Sequence, residues 1–260
     1  MKIKLCINGF IKVSTDRLST EKFSTQLPLG LSLKDEATFD NFYAGKNLEI
    51  ITALKKTIEG KAERSIFLYG SRGQGCTHLL HACCHYANQH QLSSVYLPLG
   101  NLLQMQRGHY AQISHEILSG MEAITIICLD DLHVIAGKPE WEEALFHLFN
   151  RVFDMGGRIV MTASDSPKAI HLALRDLESR LSWGIVYKLH SLTDEEKLRS
   201  LIMRAKRRGI DLSEEVGKYL LTHCPRHMGT LFAALDALDK ASLAAQRRLT
   251  IPFVKDVLEI

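Results

Sequence analysis

From Ser65 to Leu189 the chain alternates short, almost wholly apolar runs with longer stretches whose apolar residues return every three or four positions. The short runs are Ser65–Tyr69, Ser94–Leu97, Ala123–Leu129, Arg158–Ala163 and Ile185–Leu189, and they read as strands, Ser65–Tyr69 a buried one and Ala123–Leu129 a central parallel one. Between them, Thr77–Gln91 and Trp141–Met155 carry helical periodicity, the second closing at Gly156-Gly157. Asn101–Gly120 is polar and irregular with partial helical character, and Ser164–Trp183 reads as a loop holding a short helix. Ahead of the first strand, Asn47–Glu59 sets Leu48, Ile51, Leu54, Lys55 and Ile58 at helical spacing and stops at Gly60. Strands alternating with helices predict an α/β fold, a three-layer αβα base on a parallel sheet.

After Ser191 the strand pattern ends. Thr193-Asp194-Glu195-Glu196 is a capping box opening a helix that runs to Gly209. Ser213 caps a second helix, which stops at Cys224-Pro225. Arg226–Gln246 is a long third, and Thr250 with Pro252 begins a short last one. These predict an all-helical lid over 191–260, following a base over 33–190.

Residues 1–32 fit neither pattern and read as a flexible N-terminal segment. Met1–Ser24 has a basic start and an apolar Leu5–Val13, but Asn8, Gly9 and Lys12 break any secretory core, so a loose tail is expected. Gln26-Leu27-Pro28-Leu29-Gly30-Leu31 excludes a helix and puts three leucines on one side of an extended chain. Such a peptide either docks in a partner's groove or packs on its own domain. Phe39, Phe42 and Tyr43 follow as an aromatic cluster that covers the start of the core or a base.

Composition changes this picture little. Of the 260 residues, 46% are hydrophobic and 23% charged, ordinary for a soluble globular chain. No apolar run reaches the roughly 18 residues of a membrane span. A net charge of +3 gives no bulk attraction to nucleic acid or anionic lipid. The 6 cysteines form no C-x-x-C pair, which fits reduced thiols in a cytoplasmic protein.

The candidate chemistry centres on Gly70-Ser71-Arg72-Gly73-Gln74-Gly75-Cys76-Thr77-His78, between the first strand and its helix. A strand, a glycine-rich turn and a helix N-terminus cradle phosphate through backbone N–H groups and the helix dipole. The spacing is that of G-x-x-x-x-G-K-[ST], with Cys76 at the lysine position. The absent ammonium would give a triphosphate a charge-assisted hydrogen bond of about 1.5–3 kcal/mol. The cradle should therefore retain a nucleoside diphosphate and hydrolyse a triphosphate poorly.

Asp130 and Asp131 end an apolar strand downstream, where Thr77 and Asp130 could hold Mg²⁺, the aspartate acting through water; a surface loop start is the ordinary reading. His78, His81 and His85 share one helix face, a zinc site or simply a solvated polar face, with Leu79, Leu80, Cys83, Tyr86 and Ala87 on the buried side. Arg204-Ala205-Lys206-Arg207-Arg208 either touches phosphates or complements a helix C-terminus.

The segments GSRGQGCTHLLHA, IICLDDLHVIAG, LESRLSWGIVYKLHSLTDEEKLRSL and RRLTIPFVKDVLEI resemble the Hda family, AAA+ relatives of the bacterial replication initiator DnaA. The resemblance covers Gln26 to Ile260 and implies a regulator that, bound to ADP and the DNA polymerase III sliding clamp (beta subunit), promotes hydrolysis of DnaA-bound ATP. It makes Gln26, Leu27, Leu29 and Leu31 the clamp-binding contacts, although Gly30 stands where some relatives carry proline. It makes Arg180 an arginine finger supplied in trans; the ordinary alternative is a surface arginine paired with Asp176. It makes Arg226, at the start of the third lid helix, the sensor 2 arginine. Thr162 becomes a sensor 1 group, or else a plain strand threonine. Asp131 stands where relatives often have glutamate, and with Cys76 it predicts little or no ATPase activity of the chain's own. The rival readings are a self-sufficient DnaA-like ATPase and a helicase loader acting on DNA. No membrane contact or sequence-specific DNA binding is expected, and a homodimer is compatible with the pattern.

Overall fold

The computed structural model describes residues 2–6, 10–14, 37–105 and 118–260. Near the start, β1 (Lys2–Cys6) and β2 (Phe10–Ser14) pair antiparallel, Cys6 opposite Phe10. That corrects the expected loose tail. Apolar residues alternating on either side of Asn8-Gly9 are the strand signal behind this pairing. The candidate peptide Gln26–Leu31 lies outside the described residues.

The five apolar runs become β3 (Ser65–Tyr69), β4 (Ser94–Pro98), β5 (Ile126–Asp130), β6 (Arg158–Ala163) and β7 (Ile185–Lys188). They form one parallel sheet in the order β4-β5-β6-β3-β7. Strand β5 is buried along its whole length, and Ile66, Phe67 and Leu68 of β3 are fully buried, which explains why these runs lack alternation. Helices α1 (Leu48–Ile58), α2 (Cys76–Gln89), α3 (Leu99–Met105), α4 (Pro139–Asp154) and α5 (Arg175–Leu181) accompany the sheet. A core of Phe67, Leu129, Met161, Trp141, Leu145 and Phe149 joins the sheet to α4. Each fully buried large side chain there contributes roughly 1.5–3 kcal/mol.

Glu142 is an exception in that core. Fully buried on α4, it accepts the Gly137 N–H at 2.8 Å and the Leu174 N–H at 2.7 Å, one on each carboxylate oxygen. It therefore ties down the residue from which α5 starts. Glu142→Gln turns one acceptor into a donor facing an N–H, and should lower stability by about 1–2 kcal/mol in denaturant titration.

Helix α2 corrects a second expectation. His81 is only 3% exposed and stacks on Tyr96 with centroids 4.2 Å apart, while a ring nitrogen of His78 meets the Thr38 carbonyl at 2.8 Å. His81 is thus covered by protein, His78 and His85 are half-buried, and Tyr86, expected inside, is half-buried against Phe39. No cluster of three metal-ligating side chains occurs among the described residues.

The contacts divide the chain into two compact units. The first holds the segment ending at Phe39, Glu49–Ser71 and Gly75–Leu189; the second holds Asp40–Leu48, Arg72–Gln74 and His190–Ile260. Within the second, α6 (Asp194–Arg207), α7 (Glu214–His223), α8 (Met228–Ala245) and α9 (Ile251–Leu258) pack around Leu201, Leu220, Leu231, Leu235, Leu238 and Phe253. Thr193 and Glu196 make the expected capping box, and Ser213 and Thr250 cap α7 and α9. Helix α8 begins at Met228 with His227 as its N-cap, so Arg226 precedes the helix it was expected to open. Pro225 explains the shift, since Cys224 before it is held extended. Arg208 pairs with Asp236 at 2.5 Å and Arg204 with the same carboxylate at 3.7 Å, while Arg207 bonds Asn41 and the Asp40 carbonyl. Three of the cations offered for phosphate contact are thus used inside this unit.

Candidate nucleotide site

In a parallel sheet, ligand sites lie beyond the carboxyl ends of strands whose connections leave in opposite directions. Strand β3 connects through α2 to β4 at one edge; β6, its neighbour, connects to β7 at the other. The glycine loop sits at that switch point. Gly70 N–H bonds the Ala163 carbonyl at 3.2 Å, holding the loop's first residue to the end of β6. Gly73 and Gly75 take φ of +87° and +101°, which only glycine adopts without strain. Helix α2 then starts from Gly75 with no side-chain cap, leaving its first N–H groups for a ligand.

Side chains of the loop divide sharply. Ser71 and Arg72 are exposed, and Thr77 is half-buried. Gln74 Nε2 donates to Ser191 Oγ at 2.5 Å within the second unit. There too, a Cβ on Gly73 would lie 2.0 Å from His227 Nε2, so the imidazole packs directly on the loop backbone. His78 has its ring on Thr38, which leaves its backbone N–H as its contribution to a cradle. Burial pushes the Cys76 thiol up to about 12, and the carboxylates of Asp130 and Asp131 add to the effect. A neutral thiol stands at the ammonium's place.

Asp130 is 2% exposed at the end of β5 and anchors a polar web. Thr162 Oγ donates to Asp130 Oδ1, and Tyr96 Oη donates to Oδ2 at 2.7 Å. The Asp131 N–H is shared between Asp130 Oδ1 at 3.1 Å and Thr162 Oγ1 at 3.2 Å. The register accounts for Tyr96: Pro98 pairs with Asp130, so Tyr96, two residues back, shares its face and reaches the carboxylate. Burial, with the same carboxylate adding to it, drives the Tyr96 phenol upward and keeps it a donor. Sequence reasoning missed Tyr96, because a cross-strand partner cannot be found without the register. Asp131 is exposed and left-handed, φ +58°, a conformation aspartate tolerates.

Two further candidates lie apart from this web. Arg180, on α5, has its guanidinium 4.6 Å over the Trp183 ring and makes no ion pair with Asp176 among the described residues. Arg226, in the second unit, donates to Asp194 Oδ2 at 2.9 Å and is largely exposed. Such a pair, screened by water, holds little energy and is easily exchanged.

Residues 33–188 match the model of the bacterial DnaA ATPase domain, and residues 194–258 match that of the Hda lid domain. The chain belongs to the Hda family. Its fold is that of AAA+ proteins, a parallel five-stranded sheet with flanking helices and a C-terminal helical lid. Domain III of DnaA from Thermotoga maritima superimposes with a TM-score of 0.74 at 24% identity, over 87% of this chain and 97% of that one. AMPPCP-bound DnaA from Aquifex aeolicus gives 0.68 at 24%, over 78% of this chain and 64% of that one. The Thermotoga maritima RuvB branch migration motor gives 0.64 at 15%, over 86% and 71%. This Hda-family chain thus shares an AAA+ base with replication initiators, and no described helix is long and apolar enough to cross a membrane.

Proposed function

We propose that this chain is an ADP-holding regulator of replication initiation that, with the sliding clamp, stimulates hydrolysis of the ATP bound to DnaA. The observation that carries the reading is Cys76: the glycine loop has a half-buried, neutral thiol where a triphosphate would need a cation. The cradle of Gly70–Thr77 grips a β-phosphate by main-chain amides, as an uncapped helix start permits. The bound AMPPCP of the Aquifex DnaA supports a nucleotide in this kind of base.

Mg²⁺ fits as an outer-sphere ion. The carboxylate of Asp130 has about four acceptor positions, and donors from Tyr96, Thr162 and Asp131 fill three of them. One remains for a metal-bound water, with the Thr77 hydroxyl as the other contact. When present, the ion would offset phosphate charge. The chain's own part is to fix Asp130, keep Thr162 hydrogen-bonded to it, and supply Arg226 as a phosphate contact once it leaves Asp194.

Arg180 acts elsewhere, entering the initiator's site in trans and stabilising charge that develops on the γ-phosphate. Gln26, with Leu27, Leu29 and Leu31, docks in a groove of the clamp, the glutamine at the rim and the leucines within. In this reading, the full chain is retained on immobilised clamp and shortens the life of DnaA-bound ATP on primed DNA. Gln26→Ala should weaken retention at least tenfold and lose the stimulation with it. If the unmodified chain, with clamp present, leaves the lifetime of DnaA-bound ATP unchanged, the proposal is wrong.

A further inference from the structure

Trp183 is a large apolar side chain left 64% exposed, immediately beyond the short helix that carries Arg180. It is not adrift. Its ring stacks on Phe153 at 5.8 Å and 20°, and Phe153 stacks on the buried Phe149 at 5.9 Å and 16°. Arg64 covers Phe153 at 4.7 Å and donates from Nη1 to its carbonyl at 3.0 Å. The backbone is held as well: Trp183 N–H bonds the Arg180 carbonyl at 3.1 Å, and a Cβ on Gly184 would lie 2.0 Å from the Ser65 carbonyl oxygen. A contiguous column therefore runs from the core through Phe149, Phe153 and Trp183 to the guanidinium of Arg180. Leu177 and Leu181, both fully buried, anchor the helix beneath it.

We propose that Trp183 is a positioning residue that presents the Arg180 guanidinium to a phosphate group on a partner molecule. The inference rests on the reading of Arg180 as a finger supplied in trans. A guanidinium is planar, and its five N–H donors lie in its plane. Stacking on an indole satisfies the face and leaves every in-plane donor free, whereas a bidentate ion pair with Asp176 would consume two of them. The stack also removes rotamer freedom before the partner arrives, so less ordering remains to be done in the complex. An exposed tryptophan of this kind needs a reason, and holding a cation without blocking its donors supplies one.

The test is stimulated single-turnover hydrolysis of DnaA-bound ATP by the full chain with clamp on DNA. Trp183→Ala should lower the maximal rate about 2–5-fold, the range of an exposed cation–π contact, with the half-maximal concentration nearly unchanged. Trp183→Phe should restore most of the rate. The double variant Arg180→Ala with Trp183→Ala should be no slower than Arg180→Ala alone. Purely additive losses, or a shifted half-maximal concentration at full maximal rate, would overturn the positioning role. If Arg180→Ala itself stimulates normally, the finger reading fails, and this inference with it. A readout that needs no partner is quenching of indole emission by the neutral quencher acrylamide, since Trp141 is buried and Trp183 is exposed. Arg180→Ala should make the accessible emission more quenchable; no change would mean the stack does not exist in solution.

Discussion

Arg180→Ala is expected to reduce stimulated hydrolysis of DnaA-bound ATP by at least about 10³-fold, the lower bound for removing an arginine finger in trans. The expectation follows from placement. Arg180 sits on a seven-residue helix locked by Leu177 and Leu181, with its guanidinium over Trp183. Little else in the chain depends on it, so the variant should fold, keep its nucleotide and still bind the clamp. Arg180→Lys should rescue poorly, because an ammonium keeps the charge but loses the planar fork and its stacking. The measurement is the rate of ADP appearance on DnaA at saturating chain. A rate within tenfold of the unmodified chain would remove Arg180 from the mechanism.

Cys76→Lys is expected to raise affinity for a triphosphate analogue by about 10–100-fold, as one charge-assisted hydrogen bond is worth about 1.5–3 kcal/mol. The sign comes from the surroundings. Burial pushes the Cys76 thiol up to about 12, and the carboxylates of Asp130 and Asp131 add to the shift, so the local potential is negative. The same potential that disfavours a thiolate favours an ammonium. The new lysine would meet a γ-phosphate the present loop leaves without a cation, whereas ADP, gripped by backbone amides, should gain much less. Calorimetric titration with a non-hydrolysable triphosphate and with ADP separates the two. Equal affinity of both proteins for the triphosphate would show that the cysteine is not what limits the site.

Local pattern carried much of this protein into view. The apolar runs became strands within a few residues of their expected bounds, because a strand buried on both faces must be apolar throughout. The loop Gly70–Thr77 was readable because the backbone conformations at Gly73 and Gly75 demand glycine. Thr193 with Glu196 was readable because a capping box involves only neighbours in sequence. By contrast, Ala123 proved to lie in a 3₁₀ turn before β5, since apolar residues serve either state. Arg226 was set inside a helix that starts two residues later, where Pro225 and the His227 cap override the periodicity.

The amino-acid sequence by itself determined the α/β base, the helical lid, the phosphate-loop spacing and the loss of its cation, since each is written in residues a few positions apart. Only the tertiary structure decided that Tyr96 and Thr162 share the carboxylate of Asp130, that His81 is buried against Tyr96, and that Arg180 rests on a column rooted at Phe149. Those contacts join residues that strand order and register bring together from distant parts of the chain. Periodicity along a chain states which face a residue occupies; it does not state which residue will face it.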